Sequence, residues 1–597
     1  MAGRDNPRDT KVGSGNTGPW ILIVIGCIWL AVNFSAWFGF NQAAKSNGGP
    51  TVGNPLAAGL EIATTDELVW STTATVWTVA LLILLTSPFV LWMIVRIRRR
   101  TSNGKGTRVD RATRHLASKR DIATMSPKAR KEQHLAKNLP DAGWYGAYLG
   151  REVSTDRVVM SGTEDHTLNL IGARKGKTTS KAIPAVINAP GLCIATSCKH
   201  DLVDETIAAR RAKGDVWIFD PQDIAPGITG GEFCFDPLDF VRADVDWDGG
   251  ALRLTQMFEN ATTTKNAAGG GENAFFFDHA RTLLTALFLA AALEHRPITD
   301  VYRWVSAPGV PEPLNILKGN QEYPVQYESL NSEYSLTQRT RDGVFAAAKN
   351  WISCLGLRSV ARWVTYSSGR PKLDVDALAA DDNATLYLLT KDTNPVPRPI
   401  SSVLTVMLAE ALEKRASYYE RDRLPVPVVM MLDEIANVVR WSELPDLLST
   451  YGSRGILLDL FLQVPAQGVE MWGKDGWDKL FALVSIRVIG PGQADRDFAQ
   501  KVSDEVGATK IVQRSASYSE SGAGSSEQVV KEEILPVEEI MNLPDFRLLV
   551  LSKGPRPMLL RMVKAGDQDY TEAAQELMNL AEASAPTSAD VDMERSA

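Results

Sequence analysis

A lysine that grips phosphate needs a glycine-rich turn before it, and this chain has one at residues 172–179. It reads Gly172-Ala173-Arg174-Lys175-Gly176-Lys177-Thr178-Thr179, after the apolar run 168–171 and before a helix-compatible stretch. Glycines let backbone wrap phosphate oxygens, and N–H groups of the loop and helix start donate to them. Lys177 is expected to reach the β- and γ-phosphates of ATP, and Thr178 to ligate Mg²⁺. The pattern G-x-x-x-x-G-K-[ST] asks for glycine where Ile171 stands. Either isoleucine replaces that glycine, or the loop is one residue shorter and begins at Gly172.

Such a site also needs an acidic strand end to hold Mg²⁺ and position water. The run 216–219 ends at Asp220, and the run 428–432 ends at Asp433-Glu434. The adjacent pair allows a division of labour: Asp433 organises Mg²⁺ and Glu434 polarises the attacking water. Asp220 suits a strand-end residue that caps the following turn. Gln463 closes the run 457–462 and is either a γ-phosphate sensor or an ordinary loop amide. Arg454, just before that run, is either an arginine finger for a neighbouring subunit or a surface ion-pair partner.

These residues need a scaffold. Short apolar runs at 168–171, 192–196, 216–219, 385–389, 428–432, 457–462, 483–488 and 548–551 alternate with helical stretches. That is the pattern of an α/β domain with a mainly parallel sheet covered on both faces. Between residues 249 and 363 the strand signal stops, while 275–295 is a strong helix former. We read an all-α insertion. Residues 514–528 (RSASYSESGAGSSEQ) are Ser/Gly-rich and read as a mobile loop.

The chain has 597 residues and a net charge of −7, with 44% hydrophobic and 23% charged residues. This composition excludes a wholly disordered chain, a collagen and a many-helix transporter. Five cysteines and six histidines point to reduced thiols rather than a disulfide framework or a zinc site. Residues 20–40 and 74–95 carry no charge and are each long enough to cross a bilayer. The loop between them holds one basic residue, while residues 96–137 hold fourteen against three acidic. The positive-inside rule then puts both termini and the body in the cytoplasm. The basic stretch suits anionic lipid or passing nucleic acid. The tail from residue 565 holds eight acidic residues and one basic, and suits either solubility or docking of basic partners. The expected domains are an N-terminus (1–19), a membrane anchor (20–95), a basic linker (96–137), a nucleotide-binding domain in two parts (138–248 and 364–564), the insertion (249–363) and the tail (565–597).

The order of these features resembles the coupling ATPases of type IV secretion, the TraG/TraD group. The segments that carry the resemblance are LIGARKGKTT (170–179), PGLCIATSCKHDLVDET (190–206), FDPQ (219–222) and MLDEIANVVRWSELPDLLSTYGSRGILLDLFLQVPAQ (431–467). The resemblance implies a RecA-like P-loop domain in a hexameric ring under the inner membrane, here of a Gram-positive, actinobacterial-like system. It also implies that the ring uses ATP and Mg²⁺. Its partners would be single-stranded DNA or a relaxase–DNA complex, secretion-channel proteins and membrane lipids, with protein effectors as the other cargo. Lys177, Thr178, Asp433 and Glu434 match the family's Walker residues, Gln463 its strand-end glutamine and Arg454 its trans-acting arginine. An FtsK-like DNA translocase and a docking receptor without hydrolysis are the competing readings.

Overall fold

The computed structural model describes residues 18–47, 107–228, 230–263, 272–366, 369–394, 396–519 and 522–567, with scattered positions between 48 and 87 and after 567. The chain divides into two units, Met1–Gly106 and Thr107–Ala597.

In the first unit a thirty-residue helix, Gly18–Asn47, contains the expected span 20–40. Helical residues resume at Thr72–Leu82. Most of the rest of the expected second span lies outside the described residues. The two helices touch at Gly39, where a Cβ would collide with Thr78 and the Ala74 carbonyl, the close approach that small residues allow. Among the described residues, length and composition mark one candidate span, Ala274–Leu293. That segment is the central helix of the insertion and is more than half buried there.

The second unit is built on an eleven-stranded sheet. In chain order its strands are β1 Tyr148–Glu152, β2 Val158–Met160, β3 Thr167–Leu170, β4 Cys193–Ser197, β5 Val216–Phe219, β6 Thr385–Leu389, β7 Val428–Leu432, β8 Ile456–Leu462 and β9 Ile486–Ile489. After a separate ribbon, β10 Ala508–Ser519 and β11 Gly522–Glu533, come β12 Arg547–Ser552 and β13 Met558–Arg561. The spatial order is β2-β1-β13-β12-β9-β3-β8-β7-β4-β6-β5. The run from β9 to β5 is parallel, and β12, β13, β1 and β2 extend it antiparallel.

All eight expected strands are present. β3, β4, β6, β7 and β8 are buried at every position, because both faces are covered. Along β6, Leu386 and Leu388 join one core cluster while Tyr387 and Leu389 join the other, the period-two alternation of a strand. The described residues between β5 and β6 hold no strand apart from one isolated bridge, Cys234 with Lys372. They form helices, with Glu272–Leu293 at the centre.

One expectation needs correction. The Ser/Gly-rich stretch 514–528 is not a loop over its described residues: 514–519 and 522–528 lie within the twelve-pair ladder of β10 and β11. Its composition is poor in strand formers, so the ladder is legible only at its base, where Ile511 pairs with Val530 and Val512 with Val529. In the basic segment 96–137 the described residues begin at Thr107. From Thr107 it forms three short helices with capping at Thr107, Ser118 and Ser126. They are tied to the body by Arg547 Nε to Asp110 Oδ1 at 2.7 Å and Arg130 Nε to the Met160 carbonyl at 3.1 Å.

Candidate nucleotide site

The site stands at the C-terminal ends of three adjacent strands, β3, β8 and β7. Each contributes a functional side chain because parallel strands point their ends the same way. Lys177 follows β3, Gln463 follows β8, and Asp433-Glu434 follow β7.

The loop after β3 answers the question raised by Ile171. That side chain is fully buried in a core cluster with Val488 and Val550, and its amide donates to the Leu462 carbonyl at 3.1 Å. It continues the strand. The close approach falls on Gly172 instead, where a Cβ would sit 3.0 Å from both Gly492 Cα and the Pro491 oxygen. The turn is completed by positive φ at Arg174 (59°) and Gly176 (82°). Gly172→Ala should therefore weaken nucleotide binding, because the loop must shift by a few tenths of an ångström. Ile171→Val should leave binding unchanged. Titration with a fluorescent ATP analogue measures both, and equal affinities for Gly172→Ala and wild type would refute the first.

The following helix opens with a π turn, Thr178–Ala182, before the α-helix Ile183–Ile187. Such widened turns recur at functional sites. Ala173, Arg174 and Thr179 are exposed and Thr178 is half-buried. Lys175 Nζ pairs with Asp545 Oδ1 at 2.8 Å, which fastens the loop to the segment before β12.

Lys177 is buried and lies 2.9 Å from both Asp433 Oδ1 and Glu434 Oε1. Burial works to lower its pKa, but the two carboxylates more than offset this and raise it. For Asp433 burial dominates and raises the pKa despite Lys177. For Glu434 the balance is the reverse: burial acts upward, and Lys177 outweighs it and holds the carboxyl below its ordinary value. Glu434 is thus ionised at neutral pH, as a base must be. Its backbone is left-handed, with φ 49°, a conformation uncommon for a residue with a Cβ and found at functional sites.

Gln463 Nε2 donates to Glu434 Oε1 at 3.0 Å. Sequence reading missed the groups that hold these two in place. Asn437 Nδ2 donates to Glu434 Oε2 at 3.2 Å. The half-buried Cys198 thiol bonds to Glu434, and burial followed by that carboxylate pushes its pKa up. Gln493 Nε2 bridges the Leu170 and Gln463 carbonyls at 3.2 and 3.1 Å. Cys198 follows β4, and the pairing of β4 with β7 brings it to Glu434; only strand order reveals that.

Asp220 behaves as a cap. Its oxygens accept the Ile224 and Ala225 amides at 2.9 Å, and its strand β5 is at the far edge of the sheet. Arg454 is not brought to the site within one chain. It ion-pairs with Glu413 and precedes β8, whereas Gln463 follows it. Seven strand residues separate the two ends, about 23 Å.

Beneath the loop lies a second polar group. Lys181 and Asp459 are both buried. Lys181 Nζ donates to the Tyr148 carbonyl at 3.0 Å, and Asn169 Nδ2 to Asp459 Oδ1 at 2.6 Å. Burial pushes Lys181 down to about 8 and Asp459 up to about 6, while each one's charge opposes the other's shift.

The donor set fits a nucleotide with Mg²⁺. One ammonium faces two carboxylates, which leaves a negative charge for a divalent ion, and the Thr178 hydroxyl belongs to the helix turn that follows Lys177. Residues 427–545 match the family described as the TraM recognition site of TraD and TraG. The chain is 24% identical over 435 residues to VirD4 of Rhizobium radiobacter, covering 70% of this chain and 58% of that protein. It is 23% identical over 436 residues to VirD4 of Agrobacterium fabrum (strain C58 / ATCC 33970), covering 70% and 60%. The chain thus spans about three fifths of the length of these relatives. The fold is similar to that of the bacterial conjugative coupling protein TrwBdeltaN70, with a TM-score of 0.50 at 14% identity over 68% of this chain and 86% of that one. TrwB in complex with a non-hydrolysable ATP analogue matches with a TM-score of 0.50 and 14% identity, over 70% and 89%. In residues 427–545 and in its relatives the chain is thus similar to the TraD, TraG and VirD4 proteins, and its fold is similar to that of TrwB.

Proposed function

We propose that this chain is a membrane-anchored ATPase that couples a DNA, nucleoprotein or protein substrate to a type IV secretion channel. The observation that carries the reading is the convergence of Lys177, Asp433, Glu434 and Gln463 on one point at three strand ends. In it, Lys177 and the loop from Gly172 hold the phosphates, while Thr178 and Asp433 hold Mg²⁺. The metal supplies charge neutralisation on the phosphates. Glu434 orients water and accepts its proton, and Gln463 fixes the Glu434 oxygen that faces Lys177.

The membrane and assembly terms belong to the same proposal. Residues 20–40 and 74–95 would span the inner membrane twice, with both termini and the body in the cytoplasm and basic residues against the lipid. Six copies would form a ring, in which Arg454 would act on a neighbour's nucleotide. Relaxase–DNA complexes and channel proteins are the expected partners, and the acidic tail lies largely outside the described residues. The burial of Ile171 in the core supports a phosphate loop that begins at Gly172.

The test is ATP turnover by the full chain in detergent, with and without single-stranded DNA. Turnover that rises with DNA supports the motor. Turnover equal to that of Lys177→Ala refutes it. Full activity in Arg454→Ala removes the finger role alone.

A further inference from the structure

Two arginines above the sheet carry more positive charge than their surroundings balance. Arg398 opens the nineteen-residue helix Arg398–Ala416, whose first turn holds no acidic residue and whose N-cap, Pro397, makes no side-chain capping bond. The amides of such an end favour an anion. Arg398 Nη1 donates to the Ala436 carbonyl at 3.4 Å, and its buried Nε has no partner. Arg440 comes from the neighbouring segment. Its amide donates to Ser402 Oγ at 2.8 Å, and that hydroxyl donates to the Arg398 carbonyl at 2.8 Å. Arg440 is 8% exposed and its Nε is likewise unpartnered. The nearby Arg440 charge, after burial, helps pull the Arg398 guanidinium down to about 10.

Their shared counter-ion is slight. Arg440 Nη2 meets Glu470 Oε1 at 3.2 Å, and the Glu470 side chain is 70% exposed. Two guanidinium groups therefore face one solvated carboxylate at the start of a long helix. Buried donors left unpaired cost free energy, and a phosphate accepts from a guanidinium fork better than a lone carboxylate at the surface does.

We infer that Arg398, Arg440 and the first turn of the helix Arg398–Ala416 form a site for the phosphodiester backbone of a single-stranded nucleic acid. The inference rests on the motor reading above and gives it a route from cargo to chemistry. Arg398 holds Ala436, two residues beyond Glu434, and Arg440 ends the same short segment. A strand bound there bears directly on the turn that holds the Glu434 backbone in its left-handed conformation. Bases are not read at this site, so binding is sequence-independent.

The test is anisotropy of a fluorescein-labelled single-stranded oligonucleotide on the full chain in detergent, across a salt series. Arg398→Gln and Arg440→Gln should each weaken binding and flatten the plot of log K against log salt by about 0.7 per lost contact. Glu470→Gln, an exposed change that removes the competing carboxylate, should tighten binding. In the ATPase assay the two arginine variants should keep basal turnover and lose the stimulation by DNA. Wild-type affinity and slope in all three variants would overturn the site, as would a wild type that binds no oligonucleotide. Displacement of the oligonucleotide by inorganic phosphate at matched ionic strength would make it a free-phosphate site and also overturn the claim. If wild type binds DNA through these residues but turns over no ATP, the motor reading fails while the site stands. Should Arg440→Gln lower the melting temperature, Arg398→Gln and Glu470→Gln decide the matter.

Discussion

Glu434→Gln should bind nucleotide as wild type does and lose its turnover by about 10²- to 10⁴-fold, the usual contribution of a positioned general base. Lys177→Ala should fail earlier. Hydrogen bonds to charged groups are worth about 1.5–3 kcal/mol, so losing this ammonium weakens nucleotide binding roughly 10- to 100-fold. The two variants separate because of what each leaves behind. Without Lys177, buried Asp433 and half-buried Glu434 remain as an unopposed pair that repels phosphate. Without the Glu434 charge, Lys177 still has Asp433, and the amide oxygen can still accept from Gln463, while its NH2 group can no longer accept from Asn437. Binding by fluorescence and turnover by phosphate release measure the split. Equal losses of affinity in both variants would refute the assignment of the base.

The second large effect concerns stability. Lys181→Met should cost about 1–3 kcal/mol, the penalty for leaving a buried polar group without its compensating partner. Asp459 is then buried without a cation. The direction with pH follows from linkage. The folded-state pKa of Asp459, already raised to about 6 by burial, rises further when Lys181 is lost. A carboxyl raised above its unfolded value contributes stability that is complete below about 4 and is lost as pH climbs through the folded value. The variant should therefore be closest to wild type in acid and weakest near neutrality. The double variant Lys181→Met/Asp459→Leu should recover most of the loss, since apolar replacement of a buried pair is commonly neutral. Denaturant melts at pH 5 and pH 7.5 give the comparison. A single variant as stable as wild type at pH 7.5 would show that the pair is not a unit.

The central strands were legible because they are buried on both faces and so read as mainly apolar runs. β1, β2 and β13 were not, because at five, three and four residues they are too short to show a period. The ribbon β10–β11 was hidden by serine and glycine. In the site, Lys177, Asp433, Glu434 and Gln463 could be named from type and spacing, since each closes a recognisable strand. Cys198, Asn437 and Gln493 could not. Their place depends on which strand lies beside which, and nothing local in the chain encodes that β4 pairs with β7 or that β9 pairs with β3.

The pairing of β3 also governs how the chain can be made. Thr167 lies opposite Asp459 on one side and Ile486 on the other. These partners are synthesised 292 and 319 residues after Thr167, an interval of about 15–65 s at 5–20 residues per second. Through that interval the nascent β3, with Leu168 and Leu170 on one face and Thr167 and Asn169 on the other, has no sheet to join. The ribosome delivers the insertion helices first, and they have local partners. A nucleotide cannot template the loop that holds it until β8 arrives, so premature termination before residue 456 leaves a sticky fragment rather than a smaller working domain.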